Sequence, residues 1–374
     1  MVYLDHNATT PLDERVLEAM LPYLRSYYGN ASGLYRLGRL SRGAVDTARE
    51  HIAALTGAHP LEVIFTSGGT EANNLALKGM AFAVGKGVLI TGATEHPSVS
   101  EPLKYLAARG WTLKTLPVGP EGLPANTNLE SPDIKPGEAP IGSLMLANNE
   151  TGVIHDTLEL ASSLRKAGGF LHVDAVQAVG KIPVDLASTG AHTMTLSAHK
   201  IYGPKGVGAL IAKRTAPIEP LLHGGGQERG LRGGTENVAG IVGFGKAAEL
   251  ARLELEARSA HTLALRRRLE RGLRSLPGVT LFAETTQRLP NTVQFSVPSF
   301  DGETLVMNLD RLGFAVSSGS ACASGGNVPS PVLTAMGVDA ETARGAIRVS
   351  LGRGNTEFEV DQFTEALKGL LPSR

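Results

Sequence analysis

The sequence predicts an α/β fold: a large unit with a mainly parallel sheet covered by helices, and a smaller α+β unit beside it. Three observations carry this expectation. Apolar runs and helical patterns alternate through the first two thirds of the chain, and repeated strand–helix–strand order leads to a parallel sheet with helices on both faces. Glycine supplies 45 of the 374 residues and clusters between the apolar runs, the punctuation that tight strand-to-helix turns require. After Thr235 the texture changes to a long charged segment followed by separated strands.

Val63 to Phe65 reads as a strand and Thr70 to Gly79 as the start of a helix. Val88 to Thr91 is a second strand, followed by a helix from Pro97 to Arg109. Ile141 to Ala147, Phe170 to Asp174 and Thr193 to Leu196 are further strands, with a helix at Leu158 to Lys166. The loop Gly119 to Glu138, rich in Pro, Asn and Gly, reads as a solvent excursion. Ala247 to Leu276 has apolar residues at helical spacing among many charges and reads as one solvent-edged helix linking two units. Strands at Val279 to Phe282 and Thr292 to Val297, a helix at Gly302 to Leu312 and a strand at Ala346 to Leu351 follow. Thr356 and Glu359 form a capping box for the last helix. The expected division is 15–250 for the large unit, and 1–14 with 251–374 for the small one.

Composition narrows the function. Lys plus Arg equals Asp plus Glu at 36 each, so no overall field draws nucleic acid or an anionic membrane, and a small-molecule or protein partner is expected. No apolar run is long enough to span a bilayer and the first residues lack a secretory pattern, so a cytoplasmic location is expected. The single cysteine, Cys322, excludes an intrachain disulfide and a cysteine-based zinc cage.

Two nucleotide-like motifs fail. Gly240 to Lys246 has P-loop spacing, but Ala247 stands where a magnesium-binding Ser or Thr is needed, and no strand precedes it. In GPKGVG, Gly203 to Gly208, the glycines fall in the wrong order for a dinucleotide fingerprint. A different set coheres. TSGGTEANN, 66–74, follows a strand and opens a helix, so Gly68, Gly69 and Thr70 can cradle an anion. Asp174 ends the apolar run FLHVD, and a buried carboxylate there calls for a cation. Lys200 follows the next strand in SAHKIYGPKG, as either a turn lysine or an amine nucleophile. A Schiff-base lysine, a carboxylate for a ring nitrogen and a phosphate cradle are what a pyridine cofactor with a phosphate arm requires. A carboxylate about 4 Å from a pyridinium gains roughly 4 kcal/mol at an effective dielectric near 20, enough to keep that nitrogen protonated near neutrality.

The sequence resembles the cysteine desulfurases of the NifS/IscS type, within the pyridoxal-phosphate fold type I used by class V aminotransferases. The matching segments run in family order over nearly the whole chain: YLDHNATTP (3–11), FTSGGTEANN (65–74), TEH (94–96), NNETG (148–152), HVDAVQAVGK (172–181), SAHKIYGPKG (197–206), HGGGQERGLRGGT (223–235), SSGSACAS (317–324) and IRVSLGR (347–353). The resemblance implies that Lys200 bonds pyridoxal 5'-phosphate and moves the substrate's Cα proton. It implies that Asp174 pairs with the ring nitrogen, Gln177 bonds the ring hydroxyl, and His96 stacks on the ring and acts as acid and base. Gly69, Thr70, Ser197 and His199 hold the phosphate, with Thr235 supplied by the second subunit of a homodimer. Asn149 and Arg348 bind the substrate carboxylate. The implied activity is sulfur transfer from L-cysteine, giving L-alanine and a Cys322 persulfide that an acceptor or iron–sulfur scaffold protein collects.

Cys322 lies in a Ser/Gly/Ala-rich stretch ahead of GGNVPSP that offers little to a core, so it reads as an exposed nucleophile. SSGSACAS and its extended following loop resemble the first group of desulfurases, which feeds iron–sulfur assembly. No resident metal is implied, although Cys322 is placed to ligate a cluster transiently. Ala31 stands where relatives usually have Pro, and Gly233 where Ser is common. Two alternatives stay open on sequence: an aminotransferase or C–S lyase of the same fold with Cys322 incidental, and a non-catalytic sulfur-assembly platform.

Overall fold

The alternating apolar blocks of the first two thirds fold into one seven-stranded sheet. The computed structural model describes residues 1–125, 127, 139–297, 300–319 and 328–371. In chain order the elements begin with β1 (Val2–Tyr3), α1 (Glu14–Arg25) and α2 (Arg36–Thr56). Next come β2 (Val63–Thr66), α3 (Gly69–Val84), β3 (Val88–Gly92), α4 (Pro97–Ala107), β4 (Thr112–Leu116) and β5 (Ile141–Ser143). They are followed by α5 (Leu158–Lys166), β6 (Phe170–Asp174), β7 (Thr193–Ser197) and β8 (Gly208–Ala212). After these lie α6 (Val238–Leu253), α7 (Leu255–Arg274), β9 (Thr280–Leu281), β10 (Thr292–Ser296), α8 (Gly302–Arg311), β11 (Phe314–Ala315) and β12 (Ser317–Ser318). The last are α9 (Pro331–Ala335), α10 (Ala340–Arg344), β13 (Ala346–Ser350) and α11 (Glu357–Leu370).

The large sheet has the order β2-β8-β7-β6-β5-β3-β4. Strands β3 to β7 pair in parallel, and β8 runs antiparallel to both of its neighbours. The two-residue strand period sorts side chains onto opposite faces. Val63, Phe65, Ile90 and Val173 pack with Ile52, Leu160 and Phe244 on one face. Ile64, Leu89 and Leu210 pack with Leu75, Met80 and Leu103 on the other. A second sheet, β12-β13-β10-β9, is antiparallel and buries Val293, Phe295, Ile347 and Val349 with residues of α7, α8 and α11. The N-terminal segment joins this second body: β1 pairs in parallel with β11, and Leu4 enters its core.

Three features depart from the sequence reading. The single charged helix is two helices, α6 and α7, broken at Glu254, whose backbone sits at φ −104° and ψ 6°. The Glu254 carboxylate accepts from Arg15 at 2.6 Å and Arg258 at 2.7 Å, so charge pairing holds the break. Moreover, α6 is buried rather than solvent-edged, because Gly245 lets it lie directly on Ala48 of α2. The strand expected at Ile141 to Ala147 stops at Ser143, beyond which the chain turns to line the site. Strands β4 and β8 and helices α1 and α2 were not among the elements expected from the sequence. The P-loop-like run Gly240 to Lys246 lies inside α6, so it is no loop. The capping box forms as expected: Thr356 accepts from the Glu359 N–H, and Glu359 accepts from the Thr356 N–H at 2.8 Å.

Candidate active site

Open α/β sheets bind ligands beyond the carboxyl ends of their strands. At the ends of β6 and β7 lies a cavity of about 260 Å³. Lys200, Asp174, His96, Gln177, Ser197, His199, Gly69, Thr70 and Asn149 all line it, together with Asn73, Ser98, Met145, Ala147 and Val176. Arg348 does not line the cavity but donates to the carbonyl of Asn149, which does, at 3.1 Å. Thr235 is exposed and does not line the cavity. Cys322 lies outside the described residues.

Asp174 is nearly buried at the last position of β6. One oxygen accepts from the Val176 N–H at 2.9 Å and the other from Asn73 Nδ2 at 2.8 Å. Asn73 also donates to Ser98 Oγ at 2.8 Å, so its carbonyl must be the group facing His172, at 2.9 Å. His172 therefore carries its proton on Nε2 and accepts from Thr193 on Nδ1, at 2.9 Å. Burial keeps this imidazole neutral, lowering its pKa to about 4. Thus Asp174 is held rigidly by neutral donors, with its charge uncompensated by any salt bridge among the described residues.

His96 caps the N-terminus of α4, where Pro97 favours the first helical position. Its Nδ1 accepts from the Ser98 N–H at 3.1 Å and lies 2.7 Å from Ser98 Oγ. The exchangeable nitrogen is therefore Nε2. Burial lowers the His96 pKa, the Asp174 charge opposes this, and Lys200 reinforces it. Asn73 thus orients Asp174 directly and His96 through Ser98. The neighbouring Glu95 is half-buried with its carboxyl group turned inward, and desolvation followed by the Asp174 charge raises its pKa to about 8.

Lys200 ends a short 3₁₀ turn after β7, and its Nζ donates to the carbonyls of Asn7 at 2.5 Å and Ala8 at 2.8 Å. Two uncharged acceptors from the N-terminal segment hold the amine at the cavity. Helix α3 begins beside it with no side-chain cap, leaving the first-turn N–H groups of Gly69 and Thr70 to a ligand. Ser197 Oγ is buried with no hydrogen-bond partner. An uncapped helix start, an orphaned hydroxyl and His199 along one cavity fit a phosphate, and Asp174 fits a cationic ring nitrogen. The residues present therefore suit pyridoxal phosphate.

Arg348 is nearly buried on β13 and pairs with Asp5 at 2.7 Å. Its Nε is buried without a hydrogen-bond partner. A second cavity of about 390 Å³ shares His96 and Asn149 with the first and adds Glu95, Glu150, Gly319, Pro331 and Val332. Gly319 and Val328 are the described residues that flank the Cys322 segment. Buried Glu150 accepts from Ser330 at 2.5 Å and Gln294 at 3.0 Å, fixing the start of α9 next to that segment.

A family model described as aminotransferase class-V matches residues 2–363. A cysteine desulfurase of Trichormus azollae is 44% identical over 369 residues, covering 98% of this chain and 92% of the relative. The chain belongs to the aminotransferase class-V family, among its cysteine desulfurases. A cysteine desulfurase IscS of Methanosarcina thermophila is 43% identical over 369 residues, covering 98% of this chain and 91% of its own. Among solved structures, a NifS-like protein superposes with a TM-score of 0.91 at 40% identity, covering 99% of this chain and 98% of that one. A structure described as SspA in complex with cysteine gives a TM-score of 0.82 at 32% identity, covering 95% and 100%.

Membership of this family leaves several site residues that the sequence reading did not single out: Asn73, Ser98, Asn7, Asp5 and Lys181. Asn73 carried one usable signal, a poor helix former inside an apolar helix. Asn7 and Asp5 act through partners distant in sequence, such as the 343-residue separation between Asp5 and Arg348, whereas Ser98 and Lys181 also bond close neighbours, His96 and Gln177.

Proposed function

We propose that this chain uses pyridoxal 5'-phosphate to take sulfur from L-cysteine, releasing L-alanine and leaving a persulfide on Cys322. The supporting observation is the convergence of Lys200, Asp174 and His96 on one cavity whose lining also includes an uncapped helix start and an orphaned serine hydroxyl. When bound, the cofactor supplies an electron sink that makes the substrate's Cα–H acidic. Lys200 Nζ is the group that bonds it and, once released by the incoming amine, takes the Cα proton. Asp174 keeps the ring nitrogen positive by charge. Gly69, Thr70, Ser197 and His199 hold the phosphate. Asn149 and Arg348 hold the substrate carboxylate, Arg348 with a planar donor set suited to it. His96, with Nδ1 occupied by Ser98, exchanges protons through Nε2.

The Cys322 thiolate attacks the substrate sulfur. An S–S bond forms, the substrate Cβ–S bond breaks, and the Cβ carbon takes a proton to become the alanine methyl group. A partner protein then collects the sulfur for iron–sulfur cluster assembly or another transfer. The unit boundaries 15–250, and 1–14 with 251–374, a homodimer with Thr235 reaching the second site, and a cytoplasmic setting belong to the same proposal. Among the described residues no helix is long and apolar enough to cross a membrane.

Two variants test it. Lys200→Ala should lose both the visible cofactor band and all turnover. Cys322→Ser should retain the band and still bind cysteine, yet make no alanine, because a hydroxyl is a far weaker nucleophile toward sulfur. Mass spectrometry of the native protein after one turnover should find one added sulfur on the Cys322 peptide. Ordinary alanine production by Cys322→Ser would exclude this cysteine and favour a lyase.

A further inference from the structure

Lys181 is an unusual lysine. Its Nζ donates to Gln177 Oε1 at 2.6 Å and to Asn7 Oδ1 at 2.8 Å, both neutral amides. No carboxylate pairs with it among the described residues. Burial, then the charges of Lys200 and Arg348, lowers its pKa well below that of an ordinary lysine, and Lys181 in turn helps depress His6. None of the steps above uses this residue.

Its geometry does constrain one that they use. The Asn7 carbonyl can only accept, so the Gln177 NH₂ group is the end that faces it and the Gln177 carbonyl oxygen is the end that accepts from Lys181 Nζ. At the other end of the amide, Gln177 Nε2 donates to the Asn7 carbonyl at 3.0 Å. A flipped Gln177 would set NH₂ against the lysine N–H groups and its oxygen against the Asn7 carbonyl, a repulsion at both ends. Asn7 is itself fixed: its Oδ1 also accepts from Asn291 at 3.1 Å, and its Nδ2 donates to Thr292 at 2.9 Å and the Asn149 carbonyl at 3.0 Å. Local backbone supports the arrangement. Gly180 adopts φ +75°, and a Cβ there would come within 2.7 Å of Ile201, next to Lys200.

We propose that Lys181 is a positioning residue that locks the Gln177 amide with its NH₂ group, not its carbonyl, presented to the ring hydroxyl of the cofactor. The inference rests on the cofactor reading given above and assigns a role outside the cavity lining. The second Gln177 N–H is then a permanent donor to the ring oxygen. The same Asn7 carbonyl receives Lys200, so one backbone group registers the amine and the amide together.

The test follows the visible band of the lysine-bound cofactor against pH in the holoenzyme. A donor to the ring oxygen stabilises its negative charge and favours loss of the neighbouring proton. Losing that donor should raise the midpoint of the band's pH transition by about one pH unit. Lys181→Met should show this rise, Gln177→Ala should show a similar one, and the double variant should rise no further than either alone. Lys181→Arg, which keeps only donors, should restore the native midpoint. Gln177→Glu leaves Lys181 in place and removes the donor, so it should also raise the midpoint even if Lys181→Met does not fold. A native midpoint in Lys181→Met or Gln177→Glu, or fully additive shifts in the double variant, would overturn the proposal. A native protein that takes up no pyridoxal phosphate and shows no band would instead defeat the cofactor reading itself.

Discussion

At the scale of single residues, the site is built from charges left deliberately short of partners. Arg348 has Asp5 on one Nη and a carbonyl on the other, with Nε unsatisfied. Removing the guanidinium should weaken cysteine binding while cofactor content stays near normal. Loss of a desolvated charge-assisted pair costs on the order of 2–5 kcal/mol, which Arg348→Ala should show as a rise in KM, checked beside the cofactor absorbance. Asp5→Asn should give a smaller rise of the same kind, since Asp5 orients Arg348 without reaching substrate. Glu95 makes the opposite case. Its folded pKa, about 8, lies above the ordinary 4.5, so its contribution to stability is fully present below 4.5 and lost as pH rises through 8. Glu95→Gln mimics the protonated acid, and thermal melts should show a smaller loss of stability for it than for the native protein above pH 8.

Between elements, polar side chains do what apolar packing cannot: they set angles. Asn73 of α3 ties β6 through Asp174 and His172, and α4 through Ser98. Asn73→Leu keeps the volume but strands several buried polar groups, each costing about 1–3 kcal/mol. Urea denaturation should report a clear drop in stability, and equilibrium binding a weaker affinity for pyridoxal phosphate. Close helix contact is the complementary device. At Gly245 any side chain would begin 2.5 Å from Ala48, so Gly245→Val should force α6 off α2 and lower Tm. A normal Tm for that variant would show that α6 can shift without cost.

For the whole molecule, buried imidazoles weaken the acid side, and three show it most clearly. His6, His172 and His199 each have a folded pKa of about 4, against an ordinary 6.5, with burial the leading cause. The unfolded chain therefore takes up these protons first. Their contribution is fully present above about pH 6.5 and is lost as pH falls through 4. Melts across that window should show Tm falling with pH, and His172→Gln should flatten the slope. Assembly makes the remaining prediction. If Thr235 completes a second subunit's site, mixing Lys200→Ala with Thr235→Ala protomers should restore activity through one intact site per heterodimer. Activity confined to a monomer on gel filtration would contradict it.

Much of this was legible in the sequence because it depends on local order. Strand–helix alternation, the glycine turn ahead of α3, the Thr356–Glu359 cap, and the placement of Asp174 and Lys200 at strand ends are short-range patterns, and backbone geometry converts them directly into structure. The long charged run misled because helical periodicity is blind to a one-residue break; the pairing of Glu254 with Arg15, 239 residues away, holds that break. What only the tertiary structure decided is the set of residues that hold the functional groups in place. Asn7 reaches Lys200, Gln177, Lys181, Asn291 and Thr292, and Asp5 reaches Arg348, through contacts that span most of the chain. A hydrogen bond is specified by position to a few tenths of an ångström, and sequence spacing carries that precision only within a turn or two of backbone. The sequence by itself therefore determined which chemical groups this protein brings to its site, whereas folding decided how each of them is aimed.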